Sequence, residues 1–441
     1  MNTWAAKSPK SCCFDMRAHG KCWLMGVMLT LLAACMVPSA KQNNSAQTIT
    51  YTPMKTNVRP APRFKLEKPS ILDETESENT QSQQPAPANS PDKTVRVLIL
   101  ENSKSAYIKH SGRVNIYTQD KSKKYKISQA GTVSVKSAKN GQVQVGTLVA
   151  KQPIFIEPVG GVTLTMDKNG YTGIFKVVPG TNTFNIIELT PLENYLYGVL
   201  PHEMHHTWAL EALKAQAVAA RTYTLKSIEN KSEEPFDLYN DVRSQVYKGS
   251  AQVYDSIKKA VDGTRGQVLS YKGELFYTYY HGNCGGGTDH VEIWNEKAPH
   301  IKPLSGASCK FDNHSKSYTF SQDITKSSAE RFARSQGLKG TLSSVRVAKK
   351  TSTGRANTLT LKTSNGSKQV RCADFRAATG IRSCKITKMT TGTTKIHVEG
   401  RGYGHGIGMC QDGAHGMAKQ NYTYKQILKQ YYPGSTLAVV R

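Results

Sequence analysis

The sequence of 441 residues contains no apolar run of the roughly 20 residues that a membrane-spanning helix requires, which excludes a polytopic helical membrane protein. Its 9 cysteines and 35 glycines are too few for a disulfide-dense or collagen-like chain of this length. Acidic residues are also scarce, because 32 Asp and Glu stand against 59 Lys and Arg, giving a formal net charge of +27. This excess predicts a polyanionic partner, whether a nucleic acid, an anionic membrane or an acidic polymer.

The first 35 residues resemble a bacterial export signal. Basic residues precede an apolar stretch at 23–34, which is too short to span a membrane, and small residues precede Cys35. The ending resembles a lipobox, whose cysteine is acylated after the preceding peptide is removed; a plain signal peptide or an uncleaved anchor is the alternative. We therefore expect an exported lipoprotein, anchored to a membrane through Cys35 and facing the periplasm or cell wall. Export argues against a nucleic-acid partner.

Composition divides the rest of the chain into three regions. Residues 36–93 are rich in Ser, Asn, Gln, Thr and Pro and predict a disordered tether. Residues 94–188 contain short β-branched runs separated by Gly and Asn turns, and predict a mostly β subdomain. Residues 189–441 mix helical and strand patterns, including a strong helix at 210–225. The expected fold class is α+β, in which one central helix is wrapped by short strands.

Five cysteines lie in the folded body. In an oxidising compartment they allow two disulfides and one free thiol. Proximity in the sequence favours the pairs Cys284–Cys309 and Cys372–Cys384, which leaves Cys410 free.

The first segment with possible chemistry satisfies the H-E-x-x-H pattern through His202, Glu203 and His206. A zinc protease needs this pattern on an established helix, so that both histidines share one face. Pro201 precedes the pattern and Thr207 resembles the N-cap of the next helix, so we expect a loop or first turn instead. A zinc protease, a turn without chemistry and a lone catalytic carboxylate at Glu203 all remain open from these residues.

Two glycine-rich segments follow. Residues 279–290 place three consecutive glycines after a strand and contain His281, Cys284 and His290. They are compatible with a substrate-groove loop, a metal site or a structural turn.

The second glycine-rich segment is residues 400–417, in which alternating glycines carry His405 and Gln411. It lacks the spacing of a phosphate-binding loop. Because glycine at this density is costly unless tight turns or close ligand approach require it, we interpret the segment as a functional loop.

Together these segments resemble the family of stage II sporulation protein D (SpoIID) and the amidase enhancer LytB. The matching segments are residues 192–204, 210–223, 241–247, 400–417 and 427–434, so the resemblance covers roughly residues 94–441. Several long motifs in the right order make it specific. Two positions depart from the family pattern: Cys410 stands where Ser is usual, and His205-His206 replace small or apolar residues.

The resemblance implies a lytic transglycosylase that cleaves peptidoglycan glycan strands lacking stem peptides and leaves 1,6-anhydro-N-acetylmuramic acid ends. It places the catalytic acid on Glu203. The substrate-binding residues that we expect are Arg221, His281, Tyr403, His405 and Gln411; Arg221 could instead form a buried salt bridge. We expect no metal or cofactor, with zinc left as an alternative. The competing interpretation is a non-enzymatic enhancer or partner of a cell-wall amidase.

Overall fold

The computed structural model describes residues 64–67 and 93–440. The expected signal peptide, Cys35 and nearly all of the expected tether lie outside these residues. The described chain is a mixed α+β structure with a strand-rich N-terminal part, as the sequence predicted. None of the described helices is both long and apolar enough to cross a membrane.

Two antiparallel sheets dominate the N-terminal part, and their strands alternate between buried and exposed residues. In β4, for example, Val114 and Ile116 are fully buried while Asn115 and Tyr117 are half-exposed. The strands are β1 (Leu66–Glu67), β2 (Thr94–Ser103), β3 (Ser105–His110), β4 (Val114–Thr118), β5 (Lys124–Ile127), β6 (Gly131–Ala138), β7 (Gln142–Val145), β8 (Leu148–Ala150), β9 (Ile154–Pro158), β10 (Leu164–Met166), β11 (Asn169–Tyr171), β12 (Ile174–Pro179) and β13 (Phe184–Pro191).

One sheet has the order β11-β10-β3-β6-β7-β8, and the other has the order β2-β13-β12-β9-β4-β5 with one short strand added next to β2. β13, a strand of the sheet that contains β2, leads directly into the first helix. This sheet therefore positions the start of the helix that carries the site described below. The elements that follow are α1 (Leu192–Glu203), α2 (Leu210–Asn230), β14 (Leu238–Tyr239), which is the strand added to β2, α3 (Asp255–Asp262), β15 (Gln267–Tyr271), β16 (Glu274–Leu275) and β17 (Tyr280–His281).

An inserted subdomain follows with a hydrophobic core of its own. Its core is closed by a disulfide between Cys372 and Cys384, which confirms one of the two predicted pairs. A short helix, Cys372–Thr379, ends before Gly380, whose φ of 75° suits glycine. The elements are β18 (Thr319–Thr325), α4 (Lys326–Ser335), β19 (Leu342–Lys350), β20 (Ala356–Thr363), β21 (Gly366–Arg371), α5 (Cys372–Thr379), β22 (Lys385–Thr391) and β23 (Lys395–Arg401).

The chain then returns to the main core through β24 (Met409–Cys410), α6 (Gln411–Lys419), α7 (Tyr424–Tyr431) and β25 (Thr436–Val440). β25 pairs with both β1 and β15. α2 contacts α1, α3, α6, α7 and β15, so it is the central helix that the sequence predicted. Small residues on several of its faces permit this close approach, because Ala215, Ala217 and Ala219 are all fully buried.

One prediction about these helices is wrong. α1 runs through Pro201 and ends at Glu203, whereas α2 begins at Leu210 with Ala209 at its N-cap, so Thr207 caps no helix. The proline sits in the last turn of α1, where it removes one main-chain donor, while Leu200 and Met204 on either side are buried in the core. Tertiary packing therefore outweighs the local preference of proline to end a helix.

Candidate active site

Glu203 is held at the junction of three chain segments. It is the last residue of α1, and its Oε1 accepts a hydrogen bond of 2.9 Å from the backbone N–H of Val246. The side chain of Gln411, the first residue of α6, also hydrogen-bonds the carboxyl group. Because Glu203 is half-buried, its carboxyl group is fixed in orientation while part of it reaches solvent.

Burial raises the pKa of Glu203 to about 7, since the charged form loses hydration. The hydrogen bonds from Val246 and Gln411 act in the opposite direction, because they stabilise the carboxylate. A pKa near 7 allows the carboxyl group to donate a proton near neutral pH and to accept one in a later step.

A buried polar network fixes the segment that carries Val246. The Gln245 amide donates to the hydroxyl of Tyr195 at 3.2 Å and to Oγ1 of Thr224 at 2.9 Å. The hydroxyl of Tyr280 donates to the side-chain oxygen Oε1 of Gln245 at 2.8 Å. Residues 241–247 were identified from the sequence as a matching segment, but no pattern indicated that their backbone would meet Glu203.

The segment 400–417 lies beside the segment 279–290, because β24 pairs in parallel with β17. Within it, His405 Nδ1 accepts from the backbone N–H of Ile407 at 3.1 Å, and Nε2 faces the carbonyl oxygen of Tyr280 at 2.9 Å. These partners require the neutral ring with its proton on Nε2, and burial lowers the pKa of His405 to about 3. The ring stacks on Trp294 at 5.0 Å between ring centroids. His405 therefore shapes the loop, with both ring nitrogens occupied by the backbone.

The alternating glycines are explained by close approach of the chain. Gly408 has a φ of 67°, and a Cβ atom there would collide with the carbonyl oxygen of Tyr279. Only glycine fits such a position without moving the neighbouring strand.

The other expected substrate-binding residues have different environments. His281 is buried, and its Nδ1 lies 3.1 Å from the carbonyl oxygen of Ile407, while Nε2 finds no hydrogen-bond partner among the described residues. Tyr403 has 51% of its surface exposed, and the guanidinium of Arg382 lies 5.0 Å from its ring centroid. Gln411 contacts Glu203 directly. Of these residues, Tyr403 has the most exposed side chain, whereas Gln411 is buried beside Glu203; their contact with a ligand stays a prediction.

Arg221 does not line a groove. Its side chain is fully buried and pairs with Glu193 through two hydrogen bonds of 2.9 and 2.7 Å. It also donates to the backbone carbonyl groups of Val261 and Gln267. The expectation that Arg221 binds substrate is therefore wrong, and the alternative of a buried salt bridge is correct.

The metal arrangements considered from the sequence are not assembled. α1 ends at Glu203, so His202 and His206 do not share a helical face, and the ring of His206 stacks on Tyr254 at 3.9 Å between centroids. The metal alternative for residues 279–290 is divided as well, because Cys284 groups with Cys309, Asp312 and Cys410 while His290 groups with Glu292 and His300. The predicted disulfide between Cys284 and Cys309 is also wrong, since both thiols are free.

Comparison with known proteins identifies relatives of this chain. Residues 180–271 match the family model described as SpoIID, stage II sporulation protein. Stage II sporulation protein D of Bacillus subtilis is 33% identical over 268 residues, which are 57% of this chain and 76% of that protein. The chain belongs to the stage II sporulation protein D family. Membership of this family suggests a role connected with the cell wall.

Two further relatives extend the similarity. An uncharacterized protein of Brachyspira hyodysenteriae is 35% identical over 300 residues, which are 65% of this chain and 76% of that protein. A protein named amidase enhancer from Bacillus subtilis is 33% identical over 289 residues, but these are only 40% of its own length.

Proposed function

We propose that this protein is a lytic transglycosylase that cleaves peptidoglycan glycan strands lacking stem peptides, with Glu203 as its acid and base. The observation that carries the proposal is a single half-buried carboxyl group with a pKa of about 7, held by Val246 and Gln411. Within residues 64–67 and 93–440, no second carboxylate is among the groups that shift this pKa.

The first step requires an acid. Protonated Glu203 transfers its proton to the glycosidic oxygen as the bond to the sugar carbon C1 breaks, and positive charge develops on the ring. Burial favours the protonated form of the carboxyl group and so prepares it for this step.

The second step requires a base. The carboxylate of Glu203 accepts the proton of the C6 hydroxyl of the same sugar, whose oxygen attacks C1 and closes a 1,6-anhydro ring. Hydrolysis of a glycosidic bond usually employs two carboxylates, one of which activates water or attacks the sugar. An internal hydroxyl nucleophile removes that need, so one carboxyl group suffices for both transfers.

We further propose that the chain is exported and anchored to a membrane through a lipid on Cys35. Of the net charge of +27, the first 100 residues contribute +5, since they hold 12 Lys and Arg and 7 Asp and Glu. About +22 therefore belongs to residues 101–441. A cationic body suits attraction to an anionic wall polymer or membrane surface.

A second function is a non-enzymatic enhancer or partner of a cell-wall amidase. The similarity to a protein named amidase enhancer favours it, although only 40% of that relative is covered. Such a protein would not need a carboxyl group with a raised pKa at Glu203.

The decisive experiment compares the wild type with Glu203→Gln on glycan strands from which the stem peptides have been removed. Mass spectrometry should detect anhydro-ended products, each lighter by one water than a hydrolysis product, with the wild type only. The matched control is His205→Gln, an exposed residue two positions away whose activity should equal that of the wild type.

Thermal unfolding separates loss of chemistry from loss of fold. Because the pKa of Glu203 is raised in the folded state, its contribution to stability is present below about pH 4.5 and is lost as pH rises through about 7. The Glu203→Gln protein should thus be folded at pH 8 and no less stable there than the wild type. Unchanged release of anhydro products by this variant would overturn the proposal. Stimulation of an added amidase by both proteins, without such products, would support the enhancer instead.

A further inference from the structure

Three cysteines from distant parts of the chain converge with one aspartate in the core. Cys284 follows β17, Cys309 precedes the inserted subdomain, and Cys410 ends β24. With Asp312 they form a group whose four candidate ligand atoms all lie within 4.8 Å of one another, and all four residues are buried. The thiols of the three cysteines are free.

We propose that this cluster is a structural site for a thiophilic divalent cation, namely Zn²⁺ bound by Cys284, Cys309, Asp312 and Cys410. Tetrahedral zinc with sulfur ligands at about 2.3 Å holds those sulfurs about 3.8 Å apart. All the candidate ligand atoms lie within 4.8 Å of one another, so even a sulfur pair at that limit would need to approach by only about 1 Å. Because four protein ligands complete a tetrahedron, the site is closed and has a structural role.

The carboxyl group of Asp312 supplies an independent observation. It is 1% exposed, and Oδ2 lies 3.0 Å from Sγ of Cys284 and accepts from the N–H of Gly286 at 3.1 Å. The other oxygen, Oδ1, is buried without a hydrogen-bond partner in the described structure. Burying a carboxylate that is only partly satisfied is costly, and a bound cation would offset the cost.

The surroundings of Cys410 suit a metal-bound thiolate. Its Sγ accepts from the backbone N–H of Cys284 at 3.2 Å and from that of Gly413, in the first turn of α6, at 3.3 Å. Hydrogen bonds of this kind orient sulfur ligands and stabilise their negative charge. Glycine suits position 413, since a Cβ atom there would collide with the hydroxyl of Tyr431 and lie 2.8 Å from Sγ of Cys309.

A disulfide is the chemical alternative for thiols in an oxidising compartment, but it does not account for the group. Three cysteines cannot all pair with one another, and one bond would leave a thiol and the Asp312 carboxylate buried together. The inserted subdomain already contains a two-cysteine arrangement, Cys372–Cys384, which is disulfide-bonded. The buried cluster differs from that disulfide because it contains three cysteines and an aspartate.

The position of the cluster gives it a mechanical consequence. It would join the loop after β17, the loop at 309–312 and the start of α6. Gln411 follows Cys410 directly and hydrogen-bonds Glu203. A cation bound to Cys410 would therefore hold in place the backbone from which the Gln411 side chain reaches the proposed acid. The metal inference does not depend on that activity, because its test measures binding.

The test measures metal in the full chain purified under reducing conditions, supplied with Zn²⁺ and passed through a desalting column. Elemental analysis should find one Zn²⁺ per chain in the wild type. The variants Cys309→Ser and Asp312→Asn should each lose at least half of this zinc. The matched control combines Cys372→Ser with Cys384→Ser, and it should keep all of it.

Co²⁺ provides a second measurement on the same proteins. Replacement of zinc should produce an intense sulfur-to-cobalt charge-transfer band in the near ultraviolet, and Cys309→Ser should weaken it. Should the cysteine variants fail to fold, the wild type alone decides the question. Less than one-tenth of an equivalent of zinc in the wild type, or a disulfide between any two of the three cysteines in unreduced peptide mass spectra, would overturn the proposal.

Discussion

The backbone N–H of Val246 donates a hydrogen bond of 2.9 Å to Oε1 of Glu203, which lies 43 positions earlier in the sequence. On the other side, Gln411 reaches the same carboxyl group from the start of α6. Both bonds stabilise the carboxylate, whereas burial stabilises the neutral acid, and burial is the larger effect. The pKa of Glu203 is therefore set by a balance that a substitution at one partner should shift.

We predict that the activity of the wild type on stripped glycan strands falls as pH rises through about 7, because the first step needs protonated Glu203. In Gln411→Met, one bond to the carboxylate is lost while the side-chain volume is nearly kept. The pKa of Glu203 should rise, so the fall in activity should move to higher pH. The measurement is the rate of anhydro-product release between pH 5 and 9, expressed relative to each protein's maximum.

Gln119→Ala serves as the control, because Gln119 lies in an exposed turn of the N-terminal sheets. Its pH profile should coincide with that of the wild type. A Gln411→Met profile that falls at the same or a lower pH would show that Gln411 does not tune Glu203.

Local patterns were sufficient to predict much of this fold. The mostly β region predicted at 94–188 contains β2 to β12 and most of β13, and the helix predicted at 210–225 is the first three-quarters of α2. In both, side-chain periodicity and intrinsic preference agree with the tertiary environment. The extent of α1 was not predicted, because Pro201 signals a break that only the buried neighbours Leu200 and Met204 override.

The part of the candidate site that lies in one short motif could be predicted from the sequence. The contacts between segments that are distant in the sequence could not. Glu203 stands in such a motif, and the structure gives it a raised pKa. The contact with Val246 and the grouping of Cys284 with Cys410 depend on long-range pairing, the latter on β17 and β24. Sequence proximity therefore predicted the Cys372–Cys384 disulfide correctly. It also predicted a disulfide between Cys284 and Cys309, which the structure does not contain, since both thiols are free.

The salt bridge between Arg221 and Glu193 should be essential for stability. Arg221→Met leaves the carboxylate of Glu193 buried without its partner, so we expect a loss of about 3–5 kcal/mol in the free energy of unfolding. Adding Glu193→Leu removes the stranded charge and should recover much of that loss. Denaturant titration at 25 °C measures both variants.

The comparison for this pair is the exposed pair Lys258–Asp262, one helical turn apart on α3. Lys258→Ala should change the free energy of unfolding by less than about 0.5 kcal/mol, because water screens such pairs. An Arg221→Met protein of unchanged stability but with lost activity would contradict the structural role. It would indicate instead that Arg221 takes part in substrate binding.

Gly408 lies in the glycine-rich segment 400–417, three residues before Gln411. Comparing Gly408→Ala with Gly354→Ala, a change at another glycine of positive φ, tests whether close approach of the chain at Gly408 supports the site. Gly354 has a φ of 84° with open space around its Cα, whereas Gly408 has a φ of 67° and faces the Tyr279 carbonyl group. Gly354→Ala should therefore cost only the penalty of the left-handed conformation, about 1 kcal/mol. Gly408→Ala adds a collision with the backbone, which must displace β24 and with it Gln411, three residues further along the chain. We expect at least twice the loss of stability, measured by denaturant titration, and a decrease in anhydro-product release that Gly354→Ala does not share. Equal losses in the two variants would mean that the alternating glycines serve backbone freedom alone and that close approach of the chain is not what they provide.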